Sequence, residues 1–526
     1  MAVYREWWEG GKRGGEERGE RGGRIFSGFP QIFGKTLPIF LGPGVNLDYY
    51  ARMENVKYKD DSQLGMGWTE IAAGQEDNRR AEGAGEGTAG ESAGAVRLRR
   101  PERRQMAWVA QCPDDLVPAD HPVRRVAGVV ERLDVSGFCQ SIKAREGVAG
   151  RDATDPQLLV TLWLYACVRG IGSARELARQ CEESAPFRWL CGGVSVNHRL
   201  LSDFRTDHGE ALDQLLTQVI ASLVDKEVVK VRRISQDGAR VRVGAGASSF
   251  RREERLEKLL EEAKQHVAEL HQQLDSPESP RVAVTARQVA ARKRAAKERQ
   301  KRLEQAIAQL PELKRRQEQA AQRAGQGERG QKIREKEPRV STTDAEARVM
   351  KMPNGGFNPA VNVQLATDTE SRAIVGVEVS NEGSDSAGLS APLREQVEKR
   401  TAGRVKEHLV DGGYLRNEDL EEAHAQGVAL FVPPKPARNP QRRGQELEPK
   451  RGDSDAIRAW KQRMRSTEGS QIYKQRAATS ETVNADLQTW RGLGRMLVRG
   501  LAKARCVALW CALAYNVTHF ASVLLA

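Results

Sequence analysis

The spacing of apolar residues changes several times along the chain, and each change predicts a different kind of element. Residues 1–104 show no sustained period; stretches such as GGKRGGEERGERGG and AEGAGEGTAGESAGA interleave glycine with charge. Such composition buries too little apolar surface to offset the entropy of ordering, which predicts a disordered tail. Its arginines are compatible with nucleic-acid contact, while a solvated tail, or a reading frame whose natural start lies near Met106, is the plainer account. Globular character begins at AWVAQCPDDLVPADHPVRRVAGVVERLDV. A helical period then runs from Asp155 to about Val228: DPQLLVTLWLYACVRG ends in a glycine stop, and GSARELARQCEES restarts behind a Ser173 cap. FRWLCGGVSVNHRLLSDFRTD reads as two short helices about a glycine turn. A helix-turn-helix would offer His198, Arg199 and Arg205 to DNA from the second of them, and a helical subdomain with solvated arginines explains the same pattern.

From Arg232 to Val243 the period becomes two, with Ala239, Val241 and Val243 alternating against Arg240 and Arg242, and Asp237 falls inside this predicted strand. Between Arg251 and about Lys336 the pattern is helical again. Leu256, Leu260, Ala263, Val267, Leu270 and Leu274 recur at spacings of four and three, and beyond DSPESP the residues Val289, Ala296, Leu303 and Leu310 repeat every seven. These are heptad seams, and they predict an antiparallel helical hairpin over about 249–338. Its charged faces, ARKRAAKERQKR among them, suit solvent, and DNA or a second protomer are the functional alternatives. FNPAVNVQLATDTE and AIVGVEVSNE then predict two strands turning near Glu370 and Ser371. LSAPLREQVEKRT predicts a helix, VKEHLV a short strand leading to Asp411, and GVALFVPP another strand. After a polar Pro/Arg-rich loop the chain is helical from Ile457, and its last apolar helix is expected to pack on the sheet.

Charge narrows the partner. Lys and Arg number 84 against 71 Asp and Glu, a net charge of +13, which favours a polyanion such as DNA or RNA. Seven cysteines without any C-x-x-C spacing argue against a disulfide framework and a thiolate zinc site. No apolar run reaches the ~18 residues of a membrane span, and the N-terminus lacks the compact apolar stretch of a secretory signal. A soluble, cytoplasmic protein is expected.

The candidate chemistry is acidic. Asp237-Gly238 and Asp411-Gly412 each close a strand-like run in the sequence, and Glu481 stands in YKQRAATSETVNADLQTWRGLG at the opening of a helix. Asp-Gly is a common turn dipeptide, and a glutamate in a first helical turn is favoured by the helix dipole, so each acid alone has a structural explanation. Together, three carboxylates from two strands and a helix can hold a pair of Mg²⁺ ions, because hard cations take oxygen ligands and clustered carboxylates need positive charge. Such a pair suits phosphoryl transfer on nucleic acid. Tyr473 and Arg476 precede Glu481 in a Tyr-x-x-Arg pattern that would let Arg476 steady a phosphate beside the carboxylate. The element order is that of an α/β, ribonuclease-H-like mixed sheet with a helical hairpin inserted after the first strand and a helical N-terminal domain. In it the strands bearing Asp237 and Asp411 are neighbours, and the helix bearing Glu481 crosses their face.

These residues resemble the DDE transposases of bacterial insertion sequences, in the group with a tyrosine, arginine, glutamate signature around the third acid. The likeness runs from about Gln105 to His519, through DHPVRRVAGVVERLD, ARELARQCEESAPFRWLCGG, SQDGARV, TTDAEARVMKMPNGGFNPAVNVQ, LVDGGY and YKQRAATSETVNADLQ. It implies a tail over 1–104, a helical DNA-binding domain over 105–228 and a catalytic domain over 229–526 carrying the 249–338 insertion. Asp237, Asp411 and Glu481 become the triad for Mg²⁺ or Mn²⁺, two ions in all, with Tyr473 and Arg476 near the transposon-end backbone. The implied partners are double-stranded DNA at transposon ends and target, and a second copy of the chain on that DNA; the implied place is the bacterial nucleoid. Related proteins often have lysine seven residues after the glutamate; here that position is Gln488, leaving Arg491 or Arg495 to compensate. The alternative that Gln488 leaves open is an inactive or domesticated DNA-binding protein derived from a transposase, and the heptads suggest a coiled-coil scaffold as a further one.

Overall fold

The computed structural model describes residues 110–145, 147, 149, 151–275, 286–383, 388, 390–436 and 443–526. The tail expected at 1–104 lies outside them, as do most of the DSPESP interruption and part of the polar loop after Phe431.

Local signals place the first helices: α1 (Pro122–Glu131), α2 (Pro156–Val168), α3 (Ala174–Glu183), α4 (Ala185–Cys191), α5 (His198–Asp207) and α6 (Gly209–Asp225). Asp155 caps α2 by accepting from the Gln157 amide at 2.8 Å. Pro156 sits in the first turn, where a missing N–H costs nothing. Ser173 caps α3 in the same way, through the Glu176 amide. α2 is apolar all round because it is surrounded, touching α1, α4, α5 and the C-terminal helix.

The sheet begins with β1 (Arg233–Arg242), which pairs antiparallel with β5 (Phe357–Asp368). On the far side of β5, β4 (Arg348–Lys351) and β6 (Ile374–Ser380) lie in tandem, both antiparallel to it. On the other side of β1 come β7 (Glu407–Leu409) and then β8 (Ala429–Phe431), each parallel to its neighbour. The result is a mixed α/β sheet ordered β4-β5-β1-β7-β8, with β6 also on β5. Parallel strands need a crossover, and α12 (Asn417–Ala425) links β7 to β8.

α11 (Ser390–Thr401) covers one face of the sheet. There a Cβ on Gly376 would meet Ala366, Leu393 and Val397 all at 3.0 Å, so only glycine lets the helix come this close. The C-terminal helix α16 (Leu501–His519) packs along β6 and against α2 and α6, so the first helices and the sheet share one core. Arg400 of α11 and Arg505 of α16 both bond the same Asp213 carboxylate on α6. Asp344 and Glu346 accept from the Gly500 and Leu501 amides and so satisfy donors that the first turn of α16 leaves open.

Between β1 and β4 the chain leaves the sheet. β2 (Phe250–Arg251) pairs with β3 (Val340–Ser341), bringing the two ends of an insertion together. Within it α7 (Glu253–Asp275) lies against α8 (Ala286–Ala308) over a small separate core that includes Leu256, Ala263, Leu303 and Leu310. The heptad positions thus do form a helical pair. Pro311 ends the run, so that Leu310 opens a new helix, α9 (Leu310–Ala324), which pairs with α10 (Glu328–Glu335).

His408 on β7 is fully buried and neither ring nitrogen has a partner among the described residues. Burial, and after it the charge of Arg394, pushes its pKa down to about 3 from 6.5. The unfolded chain therefore takes a proton near pH 6.5 that the folded chain refuses until about pH 3, and stability is lost as pH falls through that window. Urea unfolding of His408→Leu should match wild type near pH 7.5 and be more resistant than wild type at pH 4.5. Equal loss in both proteins would assign the acid sensitivity elsewhere.

Candidate active site

Ser235 of β1 is paired with Leu409 of β7, and the two strands run parallel. Two residues further along each strand stand Asp237 and Asp411, so the period of two places both acids on one face at neighbouring positions. Asp237 does not close its strand: it pairs with Leu365, and Gly238 with Gln364, in the middle of β1. The turn explanation for this Asp-Gly pair is therefore removed. Asp411 does stand just beyond β7, where a short turn over Gly412–Tyr414 begins. A side chain on Gly412 would press on Pro433 at 3.3 Å.

The third acid arrives on a long helix. α14 (Thr467–Arg476), capped by Ser466, runs into a π turn over Ala477–Glu481 and on into α15 (Thr482–Thr489). Glu481 is therefore in mid-helix, and the first-turn explanation expected from sequence does not hold. In an α-helix a residue five positions on is turned well away from the starting face, at about 100° per step. The wider π turn, with its i to i+5 bonds, brings Glu481 back to the face that carries Arg476, 3.4 Å from its guanidinium. Ser480 bonds Ser235 side chain to side chain at 2.5 Å, fastening the π turn to β1.

Arg476 is what joins the three acids. Its guanidinium lies 3.8 Å from Asp237, 3.9 Å from Asp411 and 3.4 Å from Glu481. The side chain is only 13% exposed, whereas those of Asp411 and Glu481 are 52% and 63% exposed, so the cation forms the floor and two acids face solvent. Burial works against the charge on Arg476, but Tyr473, Asp237 and Asp411 outweigh it and raise its pKa. The Tyr473 ring centre is 6.0 Å from the guanidinium. Burial pushes the Tyr473 hydroxyl up in pKa, with Arg476 opposing. Among the described residues no three His, Cys, Asp or Glu side chains are grouped closely enough to hold one metal ion. The acids are gathered around a guanidinium, with oxygen ligands of the kind hard cations take.

Two partners were not legible in the sequence. Asn484 donates its side-chain amide to Oδ2 of Asp237 at 3.0 Å, while Oδ1 accepts from the Gly238 amide at 2.9 Å. Asn484 lies three residues after Glu481, one turn along the same helix, and that spacing is the signal that would have found it. Arg233 bonds Glu407 at 2.5 Å and Gln475 at 2.8 Å, tying β1, β7 and the helix together just below the acids.

The basic candidates divide. Arg199, on α5, is exposed. Arg205 is not available to DNA: it is 6% exposed, lies 5.0 Å over the Trp163 ring and donates to the Gly172 carbonyl, and burial lowers its pKa. Its place in the core, and not a groove-facing surface, explains the residue. His198 is exposed, as is Gln488. Arg491 cannot substitute for a lysine at 488, because it is buried against Asp486 at 2.8 Å and Thr518 at 3.2 Å. Arg495 is exposed, beside the end of β1.

Residues 111–207 match the family model described as transposase domain (DUF772), and residues 338–517 match the one described as transposase DDE domain. The chain belongs to the DDE transposases, a family whose substrate is DNA. No curated protein and no solved structure gives a significant match. Asp411 and Glu481 fall inside the second matched segment, whereas Asp237 and nearly all of the insertion lie between the two, so the place of Asp237 rests on the geometry above. Among the described residues no helix is long and apolar enough to cross a membrane.

The cation at the centre is open to test. Arg476→Gln leaves three acids facing one another, and the exposed ones are screened by water, so the loss of stability should be modest, about 1 kcal/mol. Salt should recover part of it. Thermal unfolding of both proteins at low and high NaCl measures this; a variant as stable as wild type at low salt would show that the acids do not depend on Arg476.

Proposed function

We propose that this chain cleaves DNA at the ends of an insertion sequence and joins them to a target, using divalent metal ions, two of Mg²⁺ or Mn²⁺, held by Asp237, Asp411 and Glu481. The observation that carries this reading is the convergence of these acids, from β1, β7 and the π turn, on one guanidinium. The strand order β6-β5-β1-β7-β8 supports a ribonuclease-H-like arrangement, with antiparallel strands on one side of β1 and parallel ones on the other.

Carboxylates are the donor set that such ions require, and bound ions supply Lewis acidity to the attacking and departing oxygens of an in-line displacement. The chain's own residues do the positioning. Asn484 and the Gly238 amide hold the Asp237 carboxylate in one rotamer, and the Ser235–Ser480 bond fixes Glu481 relative to it. Arg476 offsets the acids' repulsion in the free protein and stands where it would meet a DNA phosphate, with Tyr473 against its flank. Arg199 is assigned to DNA from the helical region over 105–228, and the catalytic part to 229–526 with its 249–338 insertion. Function as a homodimer on DNA in the bacterial cytoplasm completes the reading.

Asp237→Asn and Asp411→Asn should abolish Mg²⁺-dependent nicking of plasmid DNA while gel-shift binding persists. Asn484→Ala should lower nicking about 10–100-fold, as expected for a group that orients a ligand. Undiminished nicking by either aspartate variant would remove the site.

A further inference from the structure

Outside the acidic site, a cluster of arginines lies at the neck of the insertion. A cavity of about 370 Å³ there is lined by Arg251, Arg255, Leu259, Arg299, Arg302, Leu303, Thr342 and Thr343. Four arginines and two threonines meet in it, and no carboxylate is among the lining residues. The convergence follows from the fold. Arg255 and Leu259 are one turn apart on α7, as are Arg299 and Arg302 with Leu303 on α8, so the two paired helices turn these faces toward each other. The β2–β3 pairing then brings Arg251 and Thr342 to the same place.

The neighbouring acids only partly answer this charge. Arg302 bonds Glu298 at 2.6 Å and Arg255 approaches Glu262 at 3.4 Å, both pairs largely open to water. Arg251 is spent on backbone carbonyls of Ser248 and Phe250. Guanidinium forks around a concave site match the oxygens of a phosphate group, which would neutralise the cluster and use its donors, while the Thr342 hydroxyl donates to the Ser249 carbonyl. Arg302 and Thr343 also line an adjoining open cavity of about 850 Å³ that continues past Lys301 to Arg499 and Lys503. That second cavity is mixed in charge, with Asp203, Glu298, Asp344 and Glu346 also lining it, so the arginines lining a cavity without a carboxylate are those of the first.

We propose that the neck of the insertion is a phosphate-binding site, filled by the backbone of bound DNA. The DNA assignment rests on the reading under Proposed function; the phosphate chemistry does not.

The test uses the full chain with Arg255→Gln/Arg299→Gln. A control variant, Arg292→Gln/Lys297→Gln, removes equal charge from the same insertion at exposed positions outside the cavity. Binding of a fluorescent duplex oligonucleotide is followed by anisotropy over a range of NaCl, and protection by inorganic pyrophosphate is followed by thermal shift. The salt slope of the cavity variant should fall by about two, one for each lost contact, while the control stays near wild type. That fall in slope assigns the phosphate to DNA, whether or not pyrophosphate protection of the cavity variant falls with it. Selective loss of pyrophosphate protection with an unchanged DNA slope keeps the phosphate site and assigns it to a free anion. If neither measurement separates the cavity variant from the control, the proposal is overturned. A wild-type protein that binds no duplex would instead defeat the transposase reading and leave the pyrophosphate comparison to decide the site.

Discussion

The site depends on a repulsion that the fold creates and then has to offset. Pairing β1 with β7 in parallel, with Ser235 opposite Leu409, brings Asp237 and Asp411 to adjoining positions on one face. Neither strand could be moved by one residue without turning its acid to the opposite face. Glu481 adds a third charge from above. Among the described residues Arg476 is the group in contact with all three, and the helix that carries it is fastened to β1 at the next layer by the serine pair and at the layer below by Arg233. Electrostatics and packing therefore act on the same few residues.

This arrangement also explains the irregular helix. A regular α-helix from Ser466 to Thr489 would not present both Arg476 and Glu481 to the strands. The extra residue accommodated by the π turn lets the cation and the acid share a face while Asn484, a turn later, still reaches Asp237.

Much of the fold was readable because it rests on local signals: the caps at Asp155 and Ser173, the alternation in β1, the heptads of α7 and α8, and the helix over Ser390–Thr401. What was missed depends on tertiary context. The alternation already puts Asp237 inside a strand, but dipeptide preference left a turn open as an alternative because it carries no information about a partner strand on each side. Arg205 looked like a DNA contact because its burial under Trp163 is produced by helices distant in sequence. β4 and the two-residue strands β2 and β3 are too short to show a period. The three acids and Arg476 are singled out by type and order, but the contact of Arg476 with all three, and the bond of Asn484 to Asp237, emerge only from geometry.

The β2–β3 ladder has an architectural consequence of its own. Both ends of the excursion are clamped between β1 and β4, the described helices between them have their own small core, and Gln309 and Arg316 tie them back to Arg348 and Glu382. Closing a longer or shorter loop there changes the entropic cost only slowly, about 0.6 kcal/mol for each doubling of length. The clamp separates the length of the insertion from the β1–β7 register that sets the acids, because the ladder closes before the helices begin.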